Sequence, residues 1–287
     1  MSDNDQAWVP DGVDPERADV ARVYDYFLGG THNFPADRAV AEAIIALEPN
    51  SRAIGQANRA FLRRAVTYLA GVGVRQFLDI GSGILTQGHV HEVVQLAAPD
   101  ARVVYSDIDP VAIAHSQALL AGQARVAIIE ADLREPQTAL ERAEGTGLID
   151  LGRPLGLLLT AVLHFIPDES DPWGIVRTIR DLVAPGSYLA ISHGTEEGRP
   201  EVAKGAEDIY RGSVPASLNM RSRPAILRFF DGFDLVEPGL VELPYWRAPE
   251  HAGERAHVAA GPRLRPLTGP KGPGGRRGQS RDPGPGC

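Results

Sequence analysis

The sequence predicts an α/β fold with a doubly wound parallel sheet that follows a helical N-terminal segment. Two observations support this prediction. After Arg75, five short β-rich runs alternate with helical stretches of about ten residues or more, the pattern of right-handed crossovers in a parallel sheet. Before Arg75, three helical patterns follow one another without a strand. We therefore place an N-terminal helical segment at 1–73 and the α/β domain at 74–260.

Three helices are predicted in the N-terminal segment. In the first, apolar residues recur at helical spacing and Gly29-Gly30 ends the pattern. These residues are Val20, Val23, Tyr24, Phe27 and Leu28. The second helix is predicted from about Pro35 to Leu47. The third begins with a cap at Asn50 or Ser51 and ends at Gly71.

The five β-rich runs read FLDI, RVVYSD, RVAIIEAD, LGLLLTAV and SYLAIS. In an open parallel sheet, ligands bind at the carboxyl ends of the strands, so we expect the chemistry there. A helical insertion is predicted at about 198–231. FDLVEPGLVEL and, more weakly, HVAAG are candidates for closing strands.

Charge is distributed unevenly along the 287 residues, whose formal net charge is −8. The last 26 residues hold six basic side chains and one acidic one, which leaves residues 1–261 at −13. An acidic body repels a phosphate backbone and argues against a nucleic-acid partner. Gly and Pro fill 14 of the 27 positions from Gly261 to Cys287, a composition that predicts a disordered tail at 261–287.

The only cysteine is Cys287, so an intramolecular disulfide and a cysteine-based zinc site are excluded, and we expect no metal. The N-terminus is acidic where a signal peptide would be basic. The longest nearly apolar run, Leu155 to Ile166, is too short to span a bilayer. These features predict a cytoplasmic protein without a membrane partner.

A glycine turn follows the first predicted strand, in the run DIGSGILT. Gly81 and Gly83 would let the backbone approach a ligand that a Cβ atom would displace. In a dinucleotide fingerprint the third glycine would fall at Thr86, which disfavours NAD. Asp79, two residues before the first glycine, suits a ligand that carries a cation or an amino group.

Two more acids end the next strands. Asp107 can accept hydrogen bonds from ribose hydroxyls, and Asp132 can accept one from an exocyclic amine such as that of adenine. Each alone is more often a helix cap or a solvated loop residue. Together with the glycine turn, the three acids predict a ligand made of adenosine that carries a cationic amino acid.

The sequence resembles the class I S-adenosylmethionine-dependent methyltransferases in FLDIGSG, SDIDP, EADLREP and APGSYLAISH. More specifically, ARVYDYFLGGTHNFPADRAVAEA, LTQGHVHEV, AVLHFIPD and RSRPAILRFFDGFDLVEPGLVELPYW resemble an actinobacterial methyltransferase family once catalogued as a domain of unknown function. The resemblance implies a Rossmann-like, seven-stranded methyltransferase sheet with an N-terminal helical cover.

The resemblance also implies a cofactor, S-adenosylmethionine, and its contacts. It places the methionine amino and carboxylate groups around Asp79, Gly81 and Gly83, and the ribose on Asp107. Adenine would lie between Ile108 and the loop at Asp132 and Leu133.

The turn after the first helix is rich in polar aromatic residues and glycines, so it could close over the cofactor. We expect Tyr24, Gly30 and Asn33 to face the pocket. The alternative is that Gly29-Gly30 only ends a helix and that the tyrosines pack. His164, just past the fourth strand, is the candidate catalytic base; a buried core histidine is the alternative reading.

These features predict an S-adenosylmethionine-dependent methyltransferase that acts on a small molecule. An amino-methylating nucleic-acid enzyme would show an Asn/Asp-Pro-Pro-aromatic set at the fourth strand, whereas this chain has Thr160-Ala161-Val162-Leu163. A sensor that binds the cofactor or its demethylated product without turnover is the second hypothesis. An NAD-dependent oxidoreductase is the third.

Overall fold

The computed structural model describes residues 9, 13–85 and 88–248, together with two short strands at 258–260 and 263–264. Nine α-helices lie in these residues. They are α1 (Val20–Phe27), α2 (Pro35–Leu47), α3 (Ser51–Gly71), α4 (Val90–Ala97), α5 (Pro110–Leu120), α6 (Pro136–Gly145), α7 (Pro172–Leu182), α8 (Pro200–Ser213) and α9 (Arg223–Leu227). The predicted tail at 261–287 lies, apart from 263–264, outside the described residues.

The second and third helices have the predicted bounds, although Asn50 makes no capping hydrogen bond with its side chain, and the first ends before Gly29 as predicted. Asp19 caps α1, since its Oδ1 accepts the Ala21 backbone N–H at 2.8 Å. Gly29 follows with φ +79°, a conformation that glycine adopts without the strain other residues would suffer. Pro35 occupies the first turn of α2, where its missing N–H costs no hydrogen bond.

Five parallel strands form the centre of the sheet: β1 (Gln76–Ile80), β2 (Arg102–Asp107), β3 (Val126–Glu130), β4 (Gly156–Thr160) and β5 (Tyr188–Gly194). Their order across the sheet is β3-β2-β1-β4-β5. The order reverses direction at β1 and β4, where a doubly wound sheet opens a crevice for a ligand. The predicted α/β fold with a parallel sheet is thereby confirmed.

Beyond β5, the strands differ from the prediction in length. Only two- and three-residue pieces pair there, namely β6 (Phe233–Asp234), β7 (Val241–Glu242), β8 (Val258–Ala260) and β9 (Arg263–Leu264), all antiparallel. FDLVEPGLVEL contributes only its two ends because Pro238 and Gly239 interrupt it. A regular seven-stranded sheet therefore stays a prediction. The helical stretch from Pro200 to Phe230 is also divided, with non-helical residues between α8 and α9.

The central strands are rich in apolar residues because both faces of the sheet are covered. Leu78, Leu157 and Leu189 face one core with α6, α7 and α9. Phe77, Leu158 and Tyr188 face the other core with α3 and α4. No described helix is both long and apolar enough to cross a membrane.

A third core joins the N-terminal helices to α8. Val23 and Phe27 from α1 pack with Ile44 of α2 and with Tyr210 of α8. Phe165, which follows β4, packs on this cluster, and its ring lies 5.7 Å from that of Tyr210. Of the N-terminal helices, α1 and α2 therefore share a core with α8 beside the carboxyl end of β4.

Candidate functional site

The glycine turn begins immediately after β1, and its two glycines meet different surroundings. Gly81 has φ +73°, and a Cβ atom added there would lie 2.4 Å from the Val162 side chain. Gly83 has φ +63°, and an added Cβ atom would meet nothing within 4 Å. Gly81 is therefore required by packing against the segment after β4, whereas Gly83 borders open space. Thr86 and Gln87 of this turn lie outside the described residues.

Asp79 is buried at the end of β1, with 2% of its surface exposed. Within the described part of the chain, its Oδ1 has no hydrogen-bond partner. Burial raises the pKa of Asp79 to about 7; the positive charge of Arg59 opposes this shift and the negative charge of Asp107 adds to it. A buried carboxylate without a donor favours a ligand that brings one.

Asp107, at the end of β2, already accepts three backbone N–H groups. Gly83 donates to its Oδ2 at 2.7 Å, while Ile108 and Asp109 donate to Oδ1 at 2.8 and 2.9 Å. Burial raises the pKa of Asp107 although these hydrogen bonds oppose the shift. Ile108, directly after this strand, is 55% exposed.

Asp109 is an acid of the site that the sequence reasoning did not single out. Its Oδ1 caps α5 by accepting the Val111 N–H at 2.9 Å. Its Oδ2 is buried and has no partner among the described residues. Burial, followed by the nearby charge of Asp19, raises the pKa of Asp109 to about 7. The signal in the sequence was the acid just before Pro110, a usual start of a helix.

The third strand end differs from the first two because Asp132 has a charged partner. Arg134 Nε lies 3.0 and 2.9 Å from the two carboxylate oxygens. Burial raises the pKa of Asp132, but the hydrogen bonds and charge of Arg134 outweigh this and lower it overall. Leu133 is buried in the core that contains Leu78 and Ile80.

The turn between α1 and α2 lies beside the glycine turn. Phe34 packs against Ile84 of the glycine turn and against Val111 at the start of α5. The polar atoms of the turn bond mainly to each other: Asn33 Nδ2 donates to Asp25 Oδ2 at 2.8 Å and to Gly30 O at 3.0 Å. A Cβ atom at Gly30 would lie 1.9 Å from the Asp25 carboxylate, so this glycine is required by the turn itself.

Tyr24 begins a chain of hydrogen bonds that crosses from α1 to the sheet. Its hydroxyl donates to Gly55 O at 3.2 Å and accepts from Asn58 Nδ2 at 2.8 Å. The Ser192 hydroxyl donates to Asn58 Oδ1 at 2.6 Å and accepts the Ala161 N–H at 2.9 Å. Ala161 has φ +55°, a strained conformation that these bonds hold directly after β4.

His164 lies in a short 3₁₀ turn after β4, half-buried, where its Nδ1 accepts the Gly194 N–H at 3.2 Å. Burial lowers the pKa of His164 well below the usual value, and the nearby His193 and Arg221 lower it further. The neutral ring therefore carries its proton on Nε2. In this state Nε2 of His164 is a hydrogen-bond donor, and Nδ1 can act as a base only if its bond with Gly194 breaks.

Arg221 holds the segment around His164 through hydrogen bonds, a role that no local sequence motif predicted. It is 4% exposed and donates to the carbonyls of Leu163 and Ile166 at 3.0 and 2.7 Å. It also pairs with Asp168 at 2.7 Å and donates to His193 Nε2 at 2.8 Å. Burial lowers the pKa of His193 to about 3, so this ring stays neutral beside the guanidinium.

The structure thus brings most of the predicted residues together. Asp79, Gly81, Gly83, Asp107 and Ile108 form a continuous group at neighbouring strand ends, with Asp132 next to it through the Ala131 N–H that donates to Asp107 O at 3.1 Å. His164 follows Val162, which contacts Gly81. Tyr24 and Asn33 lie in the adjacent layer with their polar groups bonded to protein atoms.

Comparison with known proteins identifies the family. The profile of the S-adenosyl methyltransferase family matches residues 6–262. A solved DUF574 family protein of Streptomyces avermitilis is 38% identical, with a TM-score of 0.84 over 88% of this chain and 99% of its own. A Thermobifida fusca protein, designated a candidate methyltransferase, is 37% identical, with a TM-score of 0.83 over 90% and 99% of the two chains.

A search of curated proteins gave no significant match. The family profile covers most of the chain, and both solved relatives match it over nearly their whole length. The resemblance seen in the sequence is confirmed, and S-adenosylmethionine is the cofactor that the family uses. The chain belongs to the S-adenosyl methyltransferase family and is an S-adenosylmethionine-dependent methyltransferase.

Proposed function

We propose that the protein transfers a methyl group from S-adenosylmethionine to a small-molecule acceptor at the carboxyl ends of β1, β2 and β4. The main support for placing the site there comes from Asp79 and Gly83. The unpaired, buried Oδ1 of Asp79 lies beside a glycine turn whose Gly83 borders open space. A ligand with an ammonium group would satisfy that oxygen. The residues present therefore fit the cofactor.

We assign the ribose and adenine of the cofactor from the hydrogen-bond acceptors and exposed apolar surface that remain at the ends of the strands. A carboxylate has about four acceptor positions, and Asp107 uses three on backbone N–H groups, which leaves one for a ribose hydroxyl. Exposed Ile108 offers an apolar surface to adenine. Because Arg134 occupies both oxygens of Asp132, we assign the loop at Asp132 and Leu133 a role in shaping the adenine site.

S-adenosylmethionine, when bound, supplies an electrophilic methyl group on a sulfonium, so the protein mainly needs to orient the two reactants. We assign orientation of the acceptor to His164, whose Nε2–H is a donor beside the end of β4. We assign exclusion of water to residues 1–73 as a cover, including the turn with Tyr24, Gly30 and Asn33. Its position beside the glycine turn supports this role.

The domain boundaries follow from the same assignment. Residues 74–260 would form the methyltransferase domain, with an insertion at about 198–231 that shares a core with α1 and α2. The acceptor would lie between this insertion and the end of β4. The net charge of −13 over residues 1–261 supports a small molecule over a nucleic acid as the acceptor.

Two measurements test the proposal. Calorimetry with S-adenosylmethionine, its demethylated product S-adenosylhomocysteine and NAD should give binding of the first two only. Screening cell extracts with methyl-labelled cofactor should then yield a labelled small molecule. Label that appears only in nucleic acid would contradict the proposed acceptor class. If both adenosyl ligands bind but no product is labelled, the result also contradicts the proposal and favours a sensor.

A further inference from the structure

Arg59 is a cation near the site, and one of its nitrogen atoms is unpaired within the described part of the chain. It lies on α3, and its Nε is buried without a hydrogen bond among the described residues. The neighbouring polar groups of α3 are used: Asn58 bonds to Tyr24 and Ser192, and Arg64 donates to the carbonyls of Leu243 and Trp246 at 2.6 and 2.7 Å. A buried N–H group without an acceptor costs free energy, and a ligand that supplied an acceptor to Arg59 Nε would remove that cost.

Contacts of the neighbouring residues place this part of α3 beside the glycine turn. Asn58 is linked through Ser192 to Ala161, the residue before the Val162 that packs on Gly81. Arg63 Nη1 lies 3.1 Å from the position that a Cβ atom on Gly88 would take. In agreement with this position, burial raises the pKa of Asp79, Tyr24 and Tyr105 of β2, and the charge of Arg59 opposes each shift. Burial lowers the pKa of His89, before α4, and the charge of Arg59 adds to that shift. These residues come from four elements that meet around the end of β1. Arg59 nevertheless forms no ion pair with a described residue, so it and Asp79 do not neutralise each other by direct contact.

We propose that Arg59 binds the α-carboxylate of the cofactor's methionine part while Asp79 binds the α-ammonium. The inference rests on the assignment of the cofactor site to the glycine turn. Two buried atoms of opposite charge, Arg59 Nε and Asp79 Oδ1, each lack a partner at this site. A zwitterionic amino acid supplies the complement to both, and a guanidinium can hold a carboxylate through two parallel hydrogen bonds.

Three adenosine ligands separate the two contacts by calorimetry. S-adenosylhomocysteine carries both groups, its decarboxylated analogue keeps only the amine, and 5′-methylthioadenosine lacks both. Arg59→Gln should weaken S-adenosylhomocysteine binding about 10- to 100-fold, since a charged hydrogen bond is lost. The same variant should leave the affinities for the other two ligands within about twofold. Asp79→Asn should weaken the first two ligands and spare 5′-methylthioadenosine.

Arg63→Gln is the matched control because Arg63 lies one helical turn further along α3 with an exposed side chain. It should change none of the affinities. Arg59→Lys keeps the charge without the paired donors, so it should fall between wild type and Arg59→Gln for S-adenosylhomocysteine. Thermal unfolding without ligand shows whether each variant is folded, and Arg59→Lys carries the test if Arg59→Gln is not.

Three outcomes overturn the assignment at different levels. Equal losses for all three ligands in folded Arg59→Gln would make Arg59 a structural residue. Unchanged affinity for S-adenosylhomocysteine would place the carboxylate elsewhere. Wild-type protein that binds none of the three ligands would overturn the cofactor site itself, a result distinct from failure of the Arg59 contact.

Discussion

Asp79 should lower the stability of the unliganded protein as the pH rises, and Asp79→Asn should remove that effect. The pKa of Asp79 is about 7 in the folded chain against a model value of 3.8. Between these values the unfolded state has lost its proton while the folded state retains it. The stabilising contribution of the protonated form is therefore complete below pH 3.8 and is lost as pH rises toward 7.

The magnitude follows from the size of the pKa shift. A shift of about three units corresponds to about 4 kcal/mol in all, of which about 2 kcal/mol falls between pH 5.5 and pH 8. The free energy of unfolding of Asp79→Asn minus that of wild type should thus grow by about 2 kcal/mol over this interval. Comparing the two pH values cancels the constant cost of burying an amide.

Urea unfolding at both pH values measures this difference, and calorimetry at pH 7.5 should show that the variant binds S-adenosylhomocysteine more weakly. Asp100→Asn is the control because the side chain of Asp100 is 70% exposed, and its difference from wild type should not change with pH. A difference for Asp79→Asn that is equally flat would refute the reasoning, since Asp79 would then be ionised and paired in the free protein.

Three further predictions follow from the contacts of the site. Gly81→Ala should lose more stability in urea unfolding than Gly83→Ala, because only the first adds a clash with Val162 to the strain of about 1–2 kcal/mol; Val162→Ala should restore part of the loss. Asp107→Ala should weaken S-adenosylhomocysteine by about 1–3 kcal/mol in calorimetry, and unchanged affinity would contradict the ribose contact. Arg221→Ala should lower the free energy of unfolding by about 3 kcal/mol, because two buried carbonyls lose their donor; a loss under 1 kcal/mol would show that water replaces it.

The sequence predicted the parts of the site that depend on local order along the chain. Asp79, Gly81 and Gly83 follow one strand, and Asp107 ends the next. Parallel strands bring their carboxyl ends to one edge, so alternation of strand and helix was enough to place these residues together. Asp107 was found by the same argument, although its three backbone contacts became visible only in the structure.

Other residues of the site have partners that the sequence alone could not connect. Asn58 meets Ser192 across 134 positions of the chain, and Arg221 holds carbonyls more than 50 positions away. Each side chain looks ordinary in its own helix or loop, and only packing shows that it is buried with polar partners. The two-part helical stretch after Pro200 was missed for a similar reason, since Arg221 fixes the non-helical backbone before α9 through distant contacts.

The buried acids at the candidate site favour a ligand that carries positive charge. Asp79, Asp107 and Asp109 are all buried, and burial raises the pKa of each. Arg59 offsets only part of this, because its charge lies near Asp79 without forming an ion pair. Positive charge from a ligand would lower the pKa of these acids. The sulfonium and ammonium groups of S-adenosylmethionine would supply such charge, whereas NAD would bring phosphates to a site already rich in acids.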